Sequence, residues 1–204
     1  MAMSSRFAGA VLSYLFLCCS AFAADNVSRP TRGTIESVNG NSVQIITRQG
    51  GKLDVKLTNQ SKINSITKAK ISDIKANSFI GTAAAPQADG TLKALEVHVF
   101  SPSLRGNGEG FNPFESADGK INTMTNGTVG KLVNNNGRTL TIKFNNAEKT
   151  VIIPDDVPVV LITPSDRSVL MPGVKVILFF MKDDKGQSVI RAISAGKDGI
   201  TPPM

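Results

Sequence analysis

The sequence predicts an all-β protein with little helix, in which one small barrel module occurs twice behind an export signal. Apolar and polar residues alternate along short runs separated by turn residues, which is typical of β-strands joined in hairpins. Similar segments recur about 94 to 97 residues apart, which is the pattern of a tandem duplication. With 41% apolar and 19% charged residues, the composition is that of a globular protein.

The recurring segments keep a nearly constant separation along the chain. It is 94 residues at the first match, 97 after the asparagine-rich turn at 134–136, and 96 further on. One local insertion explains the change, and chance similarity between β-rich segments is the competing interpretation. The matched pairs are Thr31–Ile35 with Thr125–Val129, Gly40–Ile45 with Gly137–Ile142, and Ser72–Asn77 with Ser168–Gly173.

The elements of the first copy follow in a recognisable order. Residues 42–47 and 52–57 alternate as strands around a glycine turn, and a polar stretch, Thr58 to Lys70, follows them. A short helix is predicted at Ile71–Ala76, with closing strands at Phe79–Ala84 and Leu92–Phe100. Three strands, a short helix and two strands are the element order of a five-stranded OB-type barrel, so the predicted fold is two such barrels in tandem.

The second copy repeats this order with two differences. Pro164 and Pro172 bracket the helix position, so the helix there is predicted to be one turn or absent. The run Val174 to Met181 is apolar on both faces, which indicates a strand covered on both sides. Burial between the two modules explains this run, and a surface kept for another protein is the alternative.

Residues 1–23 have the features of a secretory signal peptide. A head carrying Arg6 precedes the apolar run Phe7–Cys19, and small residues precede a cleavage site between Ala23 and Ala24. The run is short for a membrane span, so cleavage is favoured over a retained anchor. Cleavage would remove both cysteines and leave a periplasmic or secreted chain without disulfides or thiolate chemistry.

The remaining chain divides into a first module at 24–100, a connector at 101–124 and a second module at 125–204. The connector is rich in Gly and Pro, which predicts irregular structure. It also holds Phe111 and Phe114, which a purely solvated linker would not need. These two side chains are therefore expected to pin the connector between the modules.

Residues for catalysis or metal binding are scarce, so no catalytic, cofactor or metal site is predicted. His98 is the only histidine, and its position in a strand predicts a surface side chain. The adjacent carboxylates Asp155–Asp156 and Asp183–Asp184 lack the spacing of a calcium loop. The chain also lacks a G-x-S-x-G elbow and a phosphate-binding loop, so it is predicted not to be an enzyme.

The formal charge of +7 suggests an anionic partner. Anionic lipid or acidic polysaccharide fits better than nucleic acid, because the first module offers few aromatic residues for base stacking. A solvated face that serves solubility is the alternative. The candidate binding residues are Lys52, Lys56, Lys62, Lys68, Lys70 and Lys75.

Several motifs resemble a short β module found in many exported bacterial proteins and classed as a domain of unknown function. They are Gly33–Asn41, Ile71–Lys75 and Asp89–Val97. The chain after the signal is similar as a whole to a subgroup of these proteins, through features that include Arg105–Gly110 and Gly196–Met204. The resemblance implies an exported β-barrel protein whose biochemical role is unknown. Members of this group sometimes carry a metal-transporter permease label, which the sequence does not support because no run after the signal is long and apolar enough to span a membrane.

Two function classes follow from these observations. The first is a periplasmic, non-enzymatic binding module that holds an anionic envelope component through its basic face. The second is an adaptor that docks another envelope protein through an apolar strand face and the connector. The candidate interface residues for the second class are Phe111, Phe114, Ile177, Phe179 and Met181.

Overall fold

The structure is a computed structural model that describes residues 28–133, 138–182, 184, 186 and 188–204. Within these residues the regular elements are β-strands and one-turn 3-10 helices, so the predicted all-β class is confirmed. None of the described helices is long and apolar enough to cross a membrane. The predicted signal peptide, its cleavage site at Ala23 and Ala24, and the insertion at 134–136 lie outside the described residues.

The first half of the chain contains one strand that was not predicted. β4 lies in the stretch from Thr58 to Lys70, where buried polar residues such as Asn64 and Ser65 hide the apolar alternation. A one-turn helix, Ile71–Asp73, stands where a short helix was predicted. The strands are β1 (Thr31–Asn39), β2 (Ser42–Thr47), β3 (Lys52–Lys56), β4 (Lys62–Lys68), β5 (Phe79–Pro86), β6 (Leu92–Ala94) and β7 (Val97–Phe100).

The second half corrects the prediction of an irregular connector. Part of it forms an edge strand, where Pro113 is tolerated because one side of the strand needs no hydrogen bond donor. The helix between Pro164 and Pro172, which was predicted to be one turn or absent, is one turn, Arg167–Val169. The strands are β8 (Gly110–Glu115), β9 (Ile121–Leu132), β10 (Thr139–Phe144), β11 (Ala147–Ile152), β12 (Val159–Pro164), β13 (Lys175–Lys182) and β14 (Ser188–Gly196).

Five strands close into a barrel, which we call the closed barrel. Its order is β5–β6–β11–β10–β9, and β9 pairs back onto β5. The predicted five-stranded barrel is therefore present, but its strands come from both sides of the connector. A hydrophobic core that includes Ile80, Leu140 and Ile142 fills the interior of this barrel, and we call it the first core.

Five of the remaining nine strands form a second lobe, which we call the open lobe. β1, β2 and β3 pair in order, β1 pairs with β13, and β13 pairs with β14. Its own core includes Ile45, Leu57 and Leu178. The open lobe thus joins the two ends of the described chain, so neither predicted module, 24–100 or 125–204, makes a lobe by itself. The division of the sequence at these boundaries stays a prediction.

Two bridging strands connect the lobes. β4 and β12 pair antiparallel, β4 runs parallel to β14, and β12 runs parallel to β7. A third core lies between the lobes and includes Phe79, Phe100, Phe114 and Ile177. The run that was predicted to be covered on both faces lies in β13. Ile177 packs in this third core and Leu178 packs in the core of the open lobe, so the strand is covered on both sides at these positions.

The glycines of the first repeated motif have a common steric reason. A Cβ on Gly33 of β1 would lie 2.5 Å from the carbonyl oxygen of Ile46. A Cβ on Gly127 of β9 would lie 2.7 Å from Cγ2 of Ile142 and would also overlap the carbonyl of Lys143. In both lobes the next strand crosses this position too closely for any side chain.

Candidate functional site

A cleft of about 540 Å³ opens between the two lobes beside the third core. Its volume lies in the range of clefts that hold small molecules. β4, β7, β8, β9, β12 and β14 all contribute to its walls, so its shape depends on both lobes and the bridging strands. The apolar side chains that line it include Phe100, Phe114, Met124, Phe179, Met181 and Met204.

One end of the cleft carries positive charge. Lys62 at the start of β4 and Arg191 on β14 both line it, and the Arg191 guanidinium lies 5.6 Å from the centre of the Phe179 ring. None of the described lining residues has a carboxylate side chain. An anionic group at this end would therefore meet two cations without an acidic competitor.

The other end of the cleft is built on one row of residues across three strands. Gly81 of β5 pairs with His98 of β7 on one side and with Asn126 of β9 on the other. A Cβ on Gly81 would lie 2.6 Å from Cε1 of His98 and closer still to His98 Nε2 and Asn126 Oδ1. The missing side chain therefore lets the tips of His98 and Asn126 lean towards each other over β5.

His98 is buried, which corrects the prediction of a surface histidine. Its fractional exposure is 2%, and Glu96, two residues earlier on the same face, is fully buried. His98 Nδ1 lies 3.1 Å from both carboxylate oxygens of Glu96, and the Ala83 N–H donates to Glu96 Oε1 at 2.7 Å. The pair shares its burial, since each side chain supplies a polar partner for the other.

Asn126 faces the same gap with an unpartnered oxygen. Its Nδ2 donates to the carbonyls of Asn107 and Gly108 at 3.3 and 3.2 Å. Its Oδ1 is buried and has no hydrogen bond partner within the described part of the chain. Buried polar atoms are rarely left unpaired, so this oxygen marks a place where a donor is needed.

The row was hidden in the sequence, although a signal for it was present. Glu96 and His98 are two apart in a strand, which places them on one face. The facing strand β5 is mostly small residues, and small residues leave room for polar tips. No local pattern predicts that Asn126 completes the row, because β9 lies much further along the chain than β5 and β7.

The six predicted lysines are all exposed but do not form one site. Lys62 and Lys68 lie at opposite ends of β4, roughly 20 Å apart by strand rise. Lys52 on β3 pairs with Glu36 on β1 of the same sheet at 2.8 Å. Of the six, Lys62 alone lines the cleft, while Lys56, Lys68, Lys70 and Lys75 lie elsewhere on the surface.

The five predicted interface residues separate into two groups. Phe114 and Ile177 are buried in the third core, so they are core residues rather than docking residues. Phe179 is half-buried beside the cleft, and Met181 is exposed at its edge. Phe111 is also exposed, with its ring stacked 6.1 Å from the Phe144 ring.

A buried arginine fixes the third core near the cleft. Arg32 donates from Nε to the main-chain oxygen of Met204 and from Nη2 to the carbonyl of Glu115, both at 2.6 Å. Burial is the main cause that lowers the pKa of Arg32, and repulsion from Arg48 adds to it. Its carbonyl partners tie β1 to the end of β8 and to the last described residue.

Among the described residues, no group of three or more His, Cys, Asp or Glu side chains lies together. Comparison of this chain with protein-family profiles, curated proteins and solved structures gives no match. The lining and charge of the cleft are therefore the features that bear on function.

Proposed function

We propose that the protein is an exported, non-enzymatic binding protein that holds a small amphipathic anion in the cleft between its lobes. One observation carries the proposal. The cleft combines apolar walls with Lys62 and Arg191 at one end, and its described lining residues include no carboxylate side chain. Pockets with mostly apolar walls and a few convergent polar groups are the usual sites for small ligands.

The walls suit a ligand with an apolar body. Phe100, Phe114 and Phe179 present ring surface, and methionines add flexible apolar contacts that adapt to different shapes. An apolar chain or ring in the cleft would bury its own surface together with that of these side chains. The two cations at one end would orient it.

This proposal moves the anion site from the surface lysines to the cleft. Lys62 and Arg191 are themselves exposed, so the advantage of the cleft is that two cations and apolar walls act on the same ligand. The five other lysines are proposed to act by general attraction or solubility.

Two finer predictions from the sequence are part of the proposal. Export through the segment 1–23 is proposed from the sequence pattern. A tandem duplication is supported by the strand pairing, and the resemblance to the exported β-module proteins is proposed from the sequence motifs alone. β1 and β13 in the open lobe correspond to β9 and β5 in the closed barrel, and each pair is antiparallel.

The alternative function, an adaptor that docks another envelope protein, has weaker support. Two of its five proposed contact residues, Phe114 and Ile177, already pack inside the chain. Met181 and Phe111 remain exposed, but they lie at the cleft edge and on the closed barrel respectively.

Calorimetric titration with dodecanoate tests the proposal. The double variant Lys62→Gln/Arg191→Gln should weaken binding by about tenfold or more, because it removes both cations from the cleft. The control Lys56→Gln/Lys68→Gln loses the same charge from the predicted basic face and should bind as the wild type does. Equal weakening in both variants would move the site to the surface, and no binding to the wild type would refute the proposal.

A further inference from the structure

The inner end of the cleft holds two hydrogen bond acceptors aimed at the same place. We propose that His98 Nε2 and Asn126 Oδ1 together receive a primary ammonium group, so that the ligand of the cleft carries an amine at the end opposite its anion. This inference rests on the proposed ligand cleft and adds the chemistry of the second ligand end.

The first acceptor follows from the partner of His98. An ionised carboxylate only accepts hydrogen bonds, and both oxygens of Glu96 lie 3.1 Å from Nδ1. Nδ1 therefore carries a hydrogen, and in the proposed site Nε2 carries none and presents a lone pair. Nε2 belongs to the buried side chain that lines the cleft.

The second acceptor follows from the partners of Asn126. Its amide nitrogen is fixed by two carbonyl oxygens, those of Asn107 and Gly108, which only accept. A flipped amide would place an oxygen against both carbonyls, so Oδ1 must point the other way, towards His98 and the space over Gly81. No described group donates to it.

Two converging acceptors need a donor with at least two hydrogens. A hydroxyl supplies one hydrogen, whereas a primary ammonium supplies three. The fully buried carboxylate of Glu96 lies behind the imidazole and makes this end of the cleft favourable for a positive charge. The donor count excludes a hydroxyl but is also met by a water or a neutral amide, and the charge of Glu96 favours an ammonium among these donors.

The two ends of the cleft are separated by the strand order. Lys62 lies on β4 and Asn126 on β9, and the sheet passes from β4 through β12, β7 and β5 to β9. These four steps amount to roughly 19 Å across the strands, and Lys62 is also displaced along β4, because the row of His98 meets β4 at Lys68. The inferred ligand is thus an elongated zwitterion with an apolar middle.

Matched probes separate the two ends. We expect 12-aminododecanoate to bind the wild-type protein about tenfold more tightly than dodecanoate, which lacks the amine. Asn126→Leu should bring this ratio to about one, and the ratio is the readout because Asn126 also lines the cleft that holds the apolar chain. The control Asn112→Ala, which removes another amide from the cleft lining, should keep the ratio.

Nitrogen NMR of the single histidine provides a readout that does not depend on a variant. The free protein, with any affinity tag removed, should show a neutral ring with its hydrogen on Nδ1. Both 12-aminododecanoate and butylamine should shift the Nε2 signal, whereas dodecanoate should not. A ring protonated on Nε2 in the free protein would overturn the inference, because the ring could then donate to Asn126 itself.

The two proposals fail in different ways. Equal affinity for dodecanoate and 12-aminododecanoate, with both dependent on Lys62 and Arg191, leaves the anion site standing and overturns the ammonium site. Absence of dodecanoate binding overturns the proposed function, while a butylamine-induced shift at Nε2 still supports the ammonium site. An unshifted Nε2 signal with both amines overturns the ammonium site in either case.

Discussion

Equivalent rows of residues in the two lobes carry opposite contents. In the closed barrel, Gly81 lies between His98 and Asn126, and in the open lobe Ile177 lies between Ser194 and Arg32. The middle residue pairs with an adjacent antiparallel strand on each side in both rows.

The middle residue decides what its neighbours do. Ile177 is fully buried and fills its row, so Arg32 turns away to backbone oxygens and Ser194 accepts from Asn64 Nδ2 at 3.3 Å. Gly81 leaves its row empty, so two polar tips converge over it. One backbone plan thus yields packing in one lobe and a polar recess in the other.

Replacing His98 by Ser, the residue of the other row, should have the largest effect. His98→Ser leaves the Glu96 carboxylate buried without its imidazole partner, which costs about 4 kcal/mol. For a chain of this size, Tm should fall by roughly 8 to 16 °C in a thermal melt.

The double variant Glu96→Ala/His98→Ser carries residues of the open-lobe strand at both positions and removes the carboxylate as well. It should be more stable than His98→Ser alone, because no unpaired charge stays buried. A double variant that is less stable than the single one would show that the pair does not share its burial.

The next largest effect is expected from truncating Ile177, the residue that fills the row in the open lobe. Ile177→Ala should destabilise the protein by about 3 kcal/mol, because it opens a cavity in the third core. Met171→Ala is the control, since Met171 is 57% exposed and its loss should change Tm little. Urea unfolding measures both, and equal midpoints for the two variants would contradict a packing role for Ile177.

Filling the empty row should cost less. Gly81→Ala places a Cβ where the His98 and Asn126 tips converge, and moving them should cost about 2 kcal/mol. The control is Gly51→Ala, whose Cβ would meet Thr47 Oγ1 at an ordinary 3.5 Å. Tm should fall by roughly 4 to 8 °C for Gly81→Ala and hardly at all for the control.

The smallest effect concerns the one-turn helix before β13. Asp166 accepts hydrogen bonds from Ser168, chiefly through the side chain, and these lower the pKa of Asp166 below its ordinary 3.8. Because the folded-state pKa is depressed, the stabilisation is present above the ordinary pKa and is lost as pH falls through the folded-state pKa.

Asp166→Ala should therefore lower Tm slightly at pH 7 and lose this difference in strong acid. Asp166→Asn keeps an acceptor oxygen but has no charge. If the carboxylate is responsible, the Tm difference between Asp166→Asn and the wild type should depend on pH in the same way as that of Asp166→Ala. Paired thermal melts at the two pH values measure this, and a constant deficit for Asp166→Ala would count against a carboxylate effect.

Local patterns in the sequence predicted the local structure well. The alternation of residues 42–47 and 52–57 predicted two adjacent strands of a hairpin, and the prolines near Arg167–Val169 predicted a helix of one turn. β4 was missed because it is buried on both faces, and its buried residues include Asn64 and Ser65, which an alternation rule assigns to the outside.

The site was harder to predict because it depends on pairings between distant segments. Nothing near Gly81 in the sequence indicates that its neighbour in the sheet is Asn126, and nothing near Lys62 indicates that Arg191 lies along the same cleft. His98 was assigned to the surface although its spacing places it on one strand face with Glu96, because the sequence does not show which strands cover that face.

The exchange of strands between the lobes has a consequence for how the chain folds as it is synthesised. The closed barrel is contiguous, from Phe79 to Ile152, so all its strands exist once the ribosome has passed β11. β1, β2 and β3 are made first but must wait for β14, which ends about 140 residues after β3. At 5 to 20 residues per second this delay is roughly 7 to 28 s. The earliest strands to emerge are thus the last to be enclosed, and a chain released before Lys175 would leave them as a three-stranded sheet with the β1 edge unpaired.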